Sequence, residues 1–257
     1  MEVGGVAGNA LATLFAKGLP MLTRRHFLLT ASAMSLTACA SQSPEAAVSR
    51  MAPVEPVAPP PPPPMPAMYN AVMTEPFPIP AVPAGVVEPR LWRREVANPH
   101  RDYAPGSLVV DPDDAFLYLV QEGGTAMRYG VGVGAAGFDW SGQGVIQYKR
   151  KWPRWTPSDE YVARQPKYEP YSIANGGMDA GPDNPLGSRA LYIFQDGVDT
   201  LYRVHGACEP EYLGKNVSAG CIRMLDQDVI DLFERVSDGV TVTVLPSVKP
   251  GRFEGIY

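Results

Sequence analysis

One short segment of the chain, residues 205–224, concentrates the side chains that could do chemistry. It places His205 and Cys221 close together in the sequence. A thiol becomes an effective nucleophile only as a thiolate, so a catalytic cysteine needs a base or a positive field beside it. The other two histidines, His26 and His100, lie outside this segment. We therefore predict Cys221 as a nucleophile and His205 as its general base.

The residues that flank Cys221 fit this chemistry. Gly220 directly precedes the thiol and permits a tight turn whose backbone N–H groups can point at an oxyanion, while Ser218 shapes that turn. Arg223 carries a planar guanidinium that can hold a substrate carboxylate. The alternative for Arg223 is a structural ion pair with an acidic group of the following helix.

The sequence supports other roles for these cysteines and histidines less well. A disulfide between Cys208 and Cys221 is conceivable in an exported protein, but it would not require the S-x-G before Cys221 or the arginine after it. Cys208 is otherwise a small loop residue or a redox bystander. A zinc site needs three or four clustered ligands, and the segment offers only one well-placed histidine and two cysteines. We expect no metal and no cofactor.

The stretch H-G followed by S-x-G-C-I-R-M resembles the active-site signature of the YkuD-type L,D-transpeptidases, bacterial enzymes that cross-link peptidoglycan through a cysteine. Further blocks resemble successive parts of the same catalytic domain: G-S-L-V-V-D-P at 106–112, F-L-Y-L-V at 116–120, R-Y-G-V-G-V-G at 128–134, W-P-R-W-T-P at 152–157 and N-P-L-G-S-R-A-L-Y at 184–192. The similarity covers about residues 100 to 248. Ala219 departs from it, because many members carry a histidine there.

The resemblance implies a fold and a reaction. The fold is mainly β, a β-sandwich with a few short helices. The acyl donor is a tetrapeptide stem of peptidoglycan, cut before its terminal D-alanine, and a backbone carbonyl orients the histidine. The acceptor is the amine of a neighbouring diaminopimelate, giving a 3→3 cross-link, or an amine of an envelope protein; water would give carboxypeptidase activity. Tyr192 and Gly206 are further candidates for substrate contact.

Two rival functions stay open. A hydrolase that trims stems would need the same His205 and Cys221. A lipoprotein that only binds peptidoglycan would not need that pair. Analysis of the products separates the three: new amide bonds, free tripeptide, or unchanged stems.

The N-terminal residues 1–39 read as an export signal. Arg24 and Arg25 resemble the twin-arginine consensus, and the apolar run after them is too short to span a bilayer. Leu36–Cys39 looks like a lipobox, which makes Cys39 the lipidated first residue of a periplasmic protein whose only membrane contact is the lipid. Ala40 after it favours the outer membrane over the inner one. The alternative is a cleaved signal in which Cys39 is incidental.

Residues 40–98 read as a disordered linker, with six consecutive prolines at 59–64. We interpret it as a spacer rather than as a docking ligand. Residues 99–257 have a normal size for one catalytic domain. With 22 Lys and Arg against 27 Asp and Glu and no basic run in this domain, nucleic acid is not an expected partner.

The pattern of the domain is mainly strand, since short runs rich in β-branched and aromatic residues alternate with turn signals. The predicted strands are Leu108–Val110, Phe116–Val120, Met127–Val133, Val145–Tyr148, Ala190–Phe194, Leu201–His205 and Val240–Leu245. One helix is expected, capped by Asp226 and stopped by Gly239, with an apolar face of Val229, Ile230, Phe233 and Val236.

A long Pro/Gly-rich stretch, residues 149–189, separates two of the predicted strands. Loops of this length in compact domains are usually functional, so we interpret it as a wall or lid of the substrate cleft. Trp152, Trp155 and Tyr168 either contact substrate or pack under the loop.

Overall fold

The computed structural model describes residues 61, 63–134, 141–215 and 221–248. These residues lie within one compact unit, 58–257. The export segment with Cys39, and the turn residues Ser218 and Gly220, fall outside the described residues, so their predicted roles stay predictions. None of the described helices is both long and apolar enough to cross a lipid bilayer.

Ten strands make up most of the regular structure that is described, and the predicted mainly β class is confirmed. Their bounds are β1 Arg94–Ala97, β2 Leu108–Asp111, β3 Phe116–Val120, β4 Thr125–Gly130, β5 Gly132–Val133, β6 Gly142–Lys151, β7 Arg189–Gln195, β8 Val198–His205, β9 Ile222–Arg223 and β10 Thr241–Val244.

The strands form one sheet in the order β1-β4-β3-β2-β10-β6-β7-β8-β9-β5. Only Val131 separates β4 from β5 along the chain, yet β4 is next to one edge of this order and β5 forms the other edge. The sheet must therefore curl over itself, which encloses one core between its two halves.

Strands β2 and β3 are buried on both faces, which explains why they read as continuous apolar runs. On one face, Leu108 of β2 and Leu117 of β3 join the core inside the curled sheet. Val109 and Tyr118 instead join a second apolar cluster on the outer face. Something must cover that outer face, because these side chains are almost completely buried.

The cover is an N-terminal strap, residues 65–93, so the prediction of a disordered linker over 40–98 is wrong for this part. Five of its apolar side chains are only 1–7% exposed: Tyr69, Ile79, Val82, Val87 and Leu91. The prolines had indicated an extended chain that cannot build a core. The strap is indeed largely irregular, with 3₁₀ turns only at Ala67–Tyr69 and Pro89–Leu91. Its apolar residues nevertheless bury themselves on the sheet.

Polar contacts also fix the strap to the domain. The Tyr69 hydroxyl accepts a hydrogen bond from the backbone N–H of Arg93 at 2.7 Å and donates one to Asp228 at 3.2 Å. Glu75 forms a two-oxygen ion pair with the buried Arg189 at 2.7 and 2.9 Å and accepts a bond from Trp152 at 2.7 Å. The strap is therefore part of the folded domain.

Two α-helices are described, α1 at Asp159–Arg164 and α2 at Asp226–Arg235, and 3₁₀ turns lie at Glu122–Gly124, Pro166–Tyr171 and Pro210–Tyr212. The predicted α2 is present, but Leu225 occupies its N-cap position and Asp226 is its first residue. The prediction that Asp226 caps the helix is wrong, because its carboxylate bonds to other segments. Of the predicted apolar face, Val229, Phe233 and Val236 are buried and Ile230 is partly buried; Leu232 is buried as well.

Candidate active site

The strand register brings the predicted catalytic residues onto one face of the sheet. Strand β8 pairs in parallel with β9, so that Val204 faces Ile222 and His205 faces Arg223. Cys221, directly before β9, is therefore next to Arg203. Residues paired across strands point to the same side of a sheet, and alternate residues share that side.

Two rows of side chains result. Strand β7 pairs Tyr192 with Arg203, so Tyr192, Arg203 and Cys221 form one row. His205 and Arg223 stand in the next row. The residues between the rows, Leu191, Val204 and Ile222, point into the core and are at most 2% exposed.

Both rows open into a cleft of about 520 Å³. His205, Cys221, Arg223 and Tyr192, four of the predicted site residues, all line it. Its opposite wall is formed by Arg154–Ser158 and by residues of α1. The interpretation of residues 149–189 as a wall of the site therefore agrees with the structure.

His205 is held in one orientation. Its side chain is buried, and its Nδ1 lies 2.8 Å from the carbonyl oxygen of Gly206. A carbonyl can only accept, so Nδ1 carries the proton and Nε2 keeps a lone pair for a neighbouring thiol. Gly206 was predicted as a substrate contact, but it is buried and does not line the cleft. Its role in the structure is to orient His205.

The electrostatics of the site favour uncharged side chains before substrate arrives. Burial and the charge of Arg223 lower the pKa of His205 to about 3, although the bond to Gly206 opposes the shift. Burial raises the pKa of the Cys221 thiol, and Arg203, Arg223 and a backbone hydrogen bond from Arg203 act against it. The resting pair is therefore a thiol beside a neutral imidazole.

Arg223 is the side chain of the site best suited to bind an anion. It lines the cleft, and its Nε is buried without a hydrogen-bond partner among the described residues. The alternative of an ion pair with α2 is not observed, since none of the salt bridges between described residues includes Arg223. A substrate carboxylate would supply the missing partner.

Arg203 was not predicted from the sequence. Asp199 holds its guanidinium through two bonds of 2.7 Å, and the guanidinium lies 4.4 Å from the ring centroid of Tyr192. Tyr192 in turn stacks on Tyr148 at 4.4 Å. The sequence signal for this ion pair was the even spacing of Asp199 and Arg203, which places their opposite charges on the same face of the strand. The irregular register between β7 and β8 brings the two side chains within reach of each other.

The aromatic residues of the 149–189 segment divide into two groups. Trp152 packs against Phe77 of the strap and does not line the cleft. Trp155 does line it, and it makes edge contacts with Tyr161 at 5.8 Å and with Tyr168 at 5.2 Å. Tyr161, which the sequence interpretation missed, lines the cleft from α1.

Asn184 fixes the base of this segment. Its side chain is 1% exposed, donates to the carbonyls of Pro153 and Asp179 at 3.0 Å each, and accepts from the backbone N–H of Leu186 at 2.9 Å. One side chain thus ties together both ends of the cleft wall, which explains why an asparagine begins the N-P-L-G block.

Cys208 is a packing residue. It is a thiol, 6% exposed, within the apolar cluster under the strap. Burial raises its pKa to about 12, which keeps the thiol protonated at neutral pH. Cys221 is likewise not part of a disulfide.

Comparison with known proteins agrees with the geometry. Residues 105–244 match the YkuD family, described as the L,D-transpeptidase catalytic domain. The chain is 33% identical to YbiS of Escherichia coli (strain K12), named as a probable L,D-transpeptidase, over 52% of this chain and 43% of that protein. It is 31% identical to ErfK/SrfK of the same strain, over 54% of this chain and 44% of that protein.

Among solved structures, a protein from Brucella melitensis described as a probable carnitine operon oxidoreductase is 44% identical, with a TM-score of 0.42, over 62% of this chain and 96% of that one. The chain spans less than half of the length of the two Escherichia coli relatives. The matched region contains every residue of the cleft's two rows and more than half of the sequence. The chain therefore belongs to the YkuD family of L,D-transpeptidase catalytic domains.

Proposed function

We propose that this protein is a peptidoglycan L,D-transpeptidase that transfers an acyl group through Cys221. The observation that carries the proposal is the convergence of His205, Cys221 and Arg223 on one cleft in a chain of this family, where the Arg223 Nε has no hydrogen-bond partner among the described residues. The donor is a tetrapeptide stem with a diamino acid in position three.

The chemistry follows from the resting protonation states. Nε2 of His205 removes the thiol proton as the sulfur attacks the carbonyl carbon of the diamino acid. The imidazolium then returns that proton to the departing amine, so that free D-alanine leaves and a thioester remains on Cys221. An acceptor amine then attacks the thioester carbonyl while the same imidazole takes its proton, and the imidazolium returns that proton to the departing sulfur, which restores the free thiol.

The two arginines have different tasks in this proposal. Arg223 binds a carboxylate of the donor stem, because its Nε has no hydrogen-bond partner among the residues that the structure describes. Arg203 is occupied by Asp199 and therefore contributes mainly its charge, which stabilises negative charge on the sulfur and on the oxyanion. Gly220 and Ser218 form the turn that supplies oxyanion donors.

Product analysis with a purified tetrapeptide fragment tests the activity. We expect new amide-linked dimers, the loss of D-alanine, and no turnover by Cys221→Ala or His205→Ala. Cys208→Ala is the matched control, because it removes a thiol from the apolar cluster and not from the cleft. Free tripeptide without dimers would indicate a hydrolase, and unchanged stems with normal folding would refute enzymatic activity.

We propose also that the protein is exported to the periplasm and anchored in the outer membrane by a lipid on Cys39. Envelope proteins are then within reach as acyl acceptors. The support is the twin-arginine pair Arg24 and Arg25 and the lipobox before Cys39. Intact-mass measurement of the mature protein tests it. A lipid-modified Cys39 supports the anchor, and an unmodified terminus elsewhere refutes it.

A further inference from the structure

A single peptide unit connects the catalytic histidine to a carboxylate. The carbonyl oxygen of Gly206 accepts from Nδ1 of His205 at 2.8 Å. The N–H of the same peptide unit belongs to Ala207, and it donates to Oδ2 of Asp226 at 3.3 Å. The hydrogen-bonded chain therefore runs from the Asp226 carboxylate through the peptide to the imidazole.

The surroundings are shaped to admit this carboxylate. Oδ1 of Asp226 accepts from both the N–H and the hydroxyl of Ser188, at 2.8 and 2.6 Å. A Cβ atom on Gly206 would collide with the same oxygen, and a Cβ on Gly187 would lie 2.7 Å from it. The glycine that follows His205 is thus needed for the approach of Asp226.

The backbone at Ala207 shows that the orientation of the peptide is imposed. Its φ is +55°, in the left-handed region that non-glycine residues rarely adopt. Such a conformation persists only where the surrounding bonds enforce it, and it often marks a functional position. The Asp226 bond is one of those that hold it.

We propose that Asp226 is a positioning residue of the catalytic centre, which acts on His205 through the Gly206–Ala207 peptide. The negative carboxylate polarises the peptide, so that the Gly206 carbonyl becomes a stronger acceptor for the Nδ1 proton. This fixes the tautomer with Nε2 free and stabilises the imidazolium that forms when Cys221 loses its proton. The inference rests on the proposed role of His205 and Cys221.

The charges around His205 show why such support is useful. Arg223 and Arg203 both disfavour a positive imidazole, and burial acts in the same direction. Both arginines stabilise the thiolate of Cys221. Among the groups that the structure describes around His205, the bond to Gly206 favours the imidazolium, and Gly206 is the group that Asp226 polarises.

The test compares three variants of the full chain: Asp226→Asn, Ser188→Ala and, as the matched control, Asp238→Asn at an exposed site after the same helix. The readouts are the nitrogen and Nδ1-proton NMR signals of His205, the melting temperature, and kcat and KM with a tetrapeptide fragment. The first two need no peptide substrate, so they remain informative if the proposed function fails.

We expect Asp226→Asn to move the Nδ1 proton signal upfield and to lower kcat about tenfold, equivalent to about 1.4 kcal/mol, with KM unchanged. Ser188→Ala should lower the melting temperature but reduce kcat less than threefold, because the bond to Ala207 remains. Asp238→Asn should match the wild type.

Asp226 would be a purely structural anchor if Ser188→Ala and Asp226→Asn lowered kcat equally, or if Asp226→Asn left the His205 signals unmoved. Either result overturns the proposal. If Asp226→Asn does not fold, Asp226→Ser provides the same test, since it keeps an oxygen but removes the charge.

Discussion

The neutral resting state of His205 and Cys221 makes a quantitative prediction for the reactivity of Cys221. The ordinary pKa of a cysteine thiol is about 8.5, and burial raises that of Cys221. Fewer than about 3% of molecules should then hold a thiolate at pH 7. With the pKa of His205 at about 3, a permanent imidazolium–thiolate pair is not expected at neutral pH.

The assay is the rate constant for alkylation of Cys221 by iodoacetamide between pH 5 and 10, with the modified residue located by mass spectrometry. We expect the rate to increase about tenfold per pH unit up to at least pH 8, without a plateau between pH 5 and 8. Replacing Arg223 by Gln should lower the rate throughout, because one of the charges that stabilise the thiolate is removed. A plateau below pH 8 would show that the ion pair exists before substrate binds and would refute this reasoning.

Three further predictions concern the parts that support the site. Gly206→Ala should destabilise the fold by about 1–3 kcal/mol and reduce turnover at least tenfold, because the new Cβ displaces Asp226; thermal melting and turnover check both. Leu91→Ala should cost about 2–5 kcal/mol in urea unfolding, since Leu91 is 2% exposed; no change would mean that the strap is not part of the folded unit. Burial raises the pKa of Asp228 to about 7, so its contribution to stability is fully present below about pH 4 and is lost as pH rises towards 7. Asp228→Asn should flatten this pH dependence of the melting temperature, and an unchanged profile would contradict it.

Much of the sheet could be predicted from the sequence because its central strands are strongly apolar. Phe116–Val120 has the same bounds in prediction and structure, and Leu108–Val110 differs by one residue. Arg94–Ala97 was missed, since an edge strand with two charged residues has no apolar run. The strap was missed because its many prolines indicated a disordered chain. Its apolar residues are scattered, and they are buried only because the outer face of the sheet, far away in the sequence, packs against them.

The site was predictable where residue type alone decides the chemistry. His205, Cys221 and Arg223 were found because a base, a thiol and a cation are recognisable in one segment. The positions of Arg203 and Tyr161 in the cleft depend on how distant segments pack together. The bonds of Asp226 depend on its close approach to Gly206. A single sequence specifies neither. Asp226 in particular looks like a helix cap by position, and only the folded chain shows its bonds to Ser188 and Ala207.

The central claim, acyl transfer through Cys221, is tested most directly by isolating the acyl-enzyme. The protein is mixed with a defined tetrapeptide stem, quenched in acid at short times, digested and analysed by mass spectrometry. Acyl transfer through Cys221 predicts a tripeptide acyl group bound to Cys221 as a thioester, with one free D-alanine for each adduct and no adduct in Cys221→Ala. An adduct on another residue, or turnover by Cys221→Ala, would contradict it.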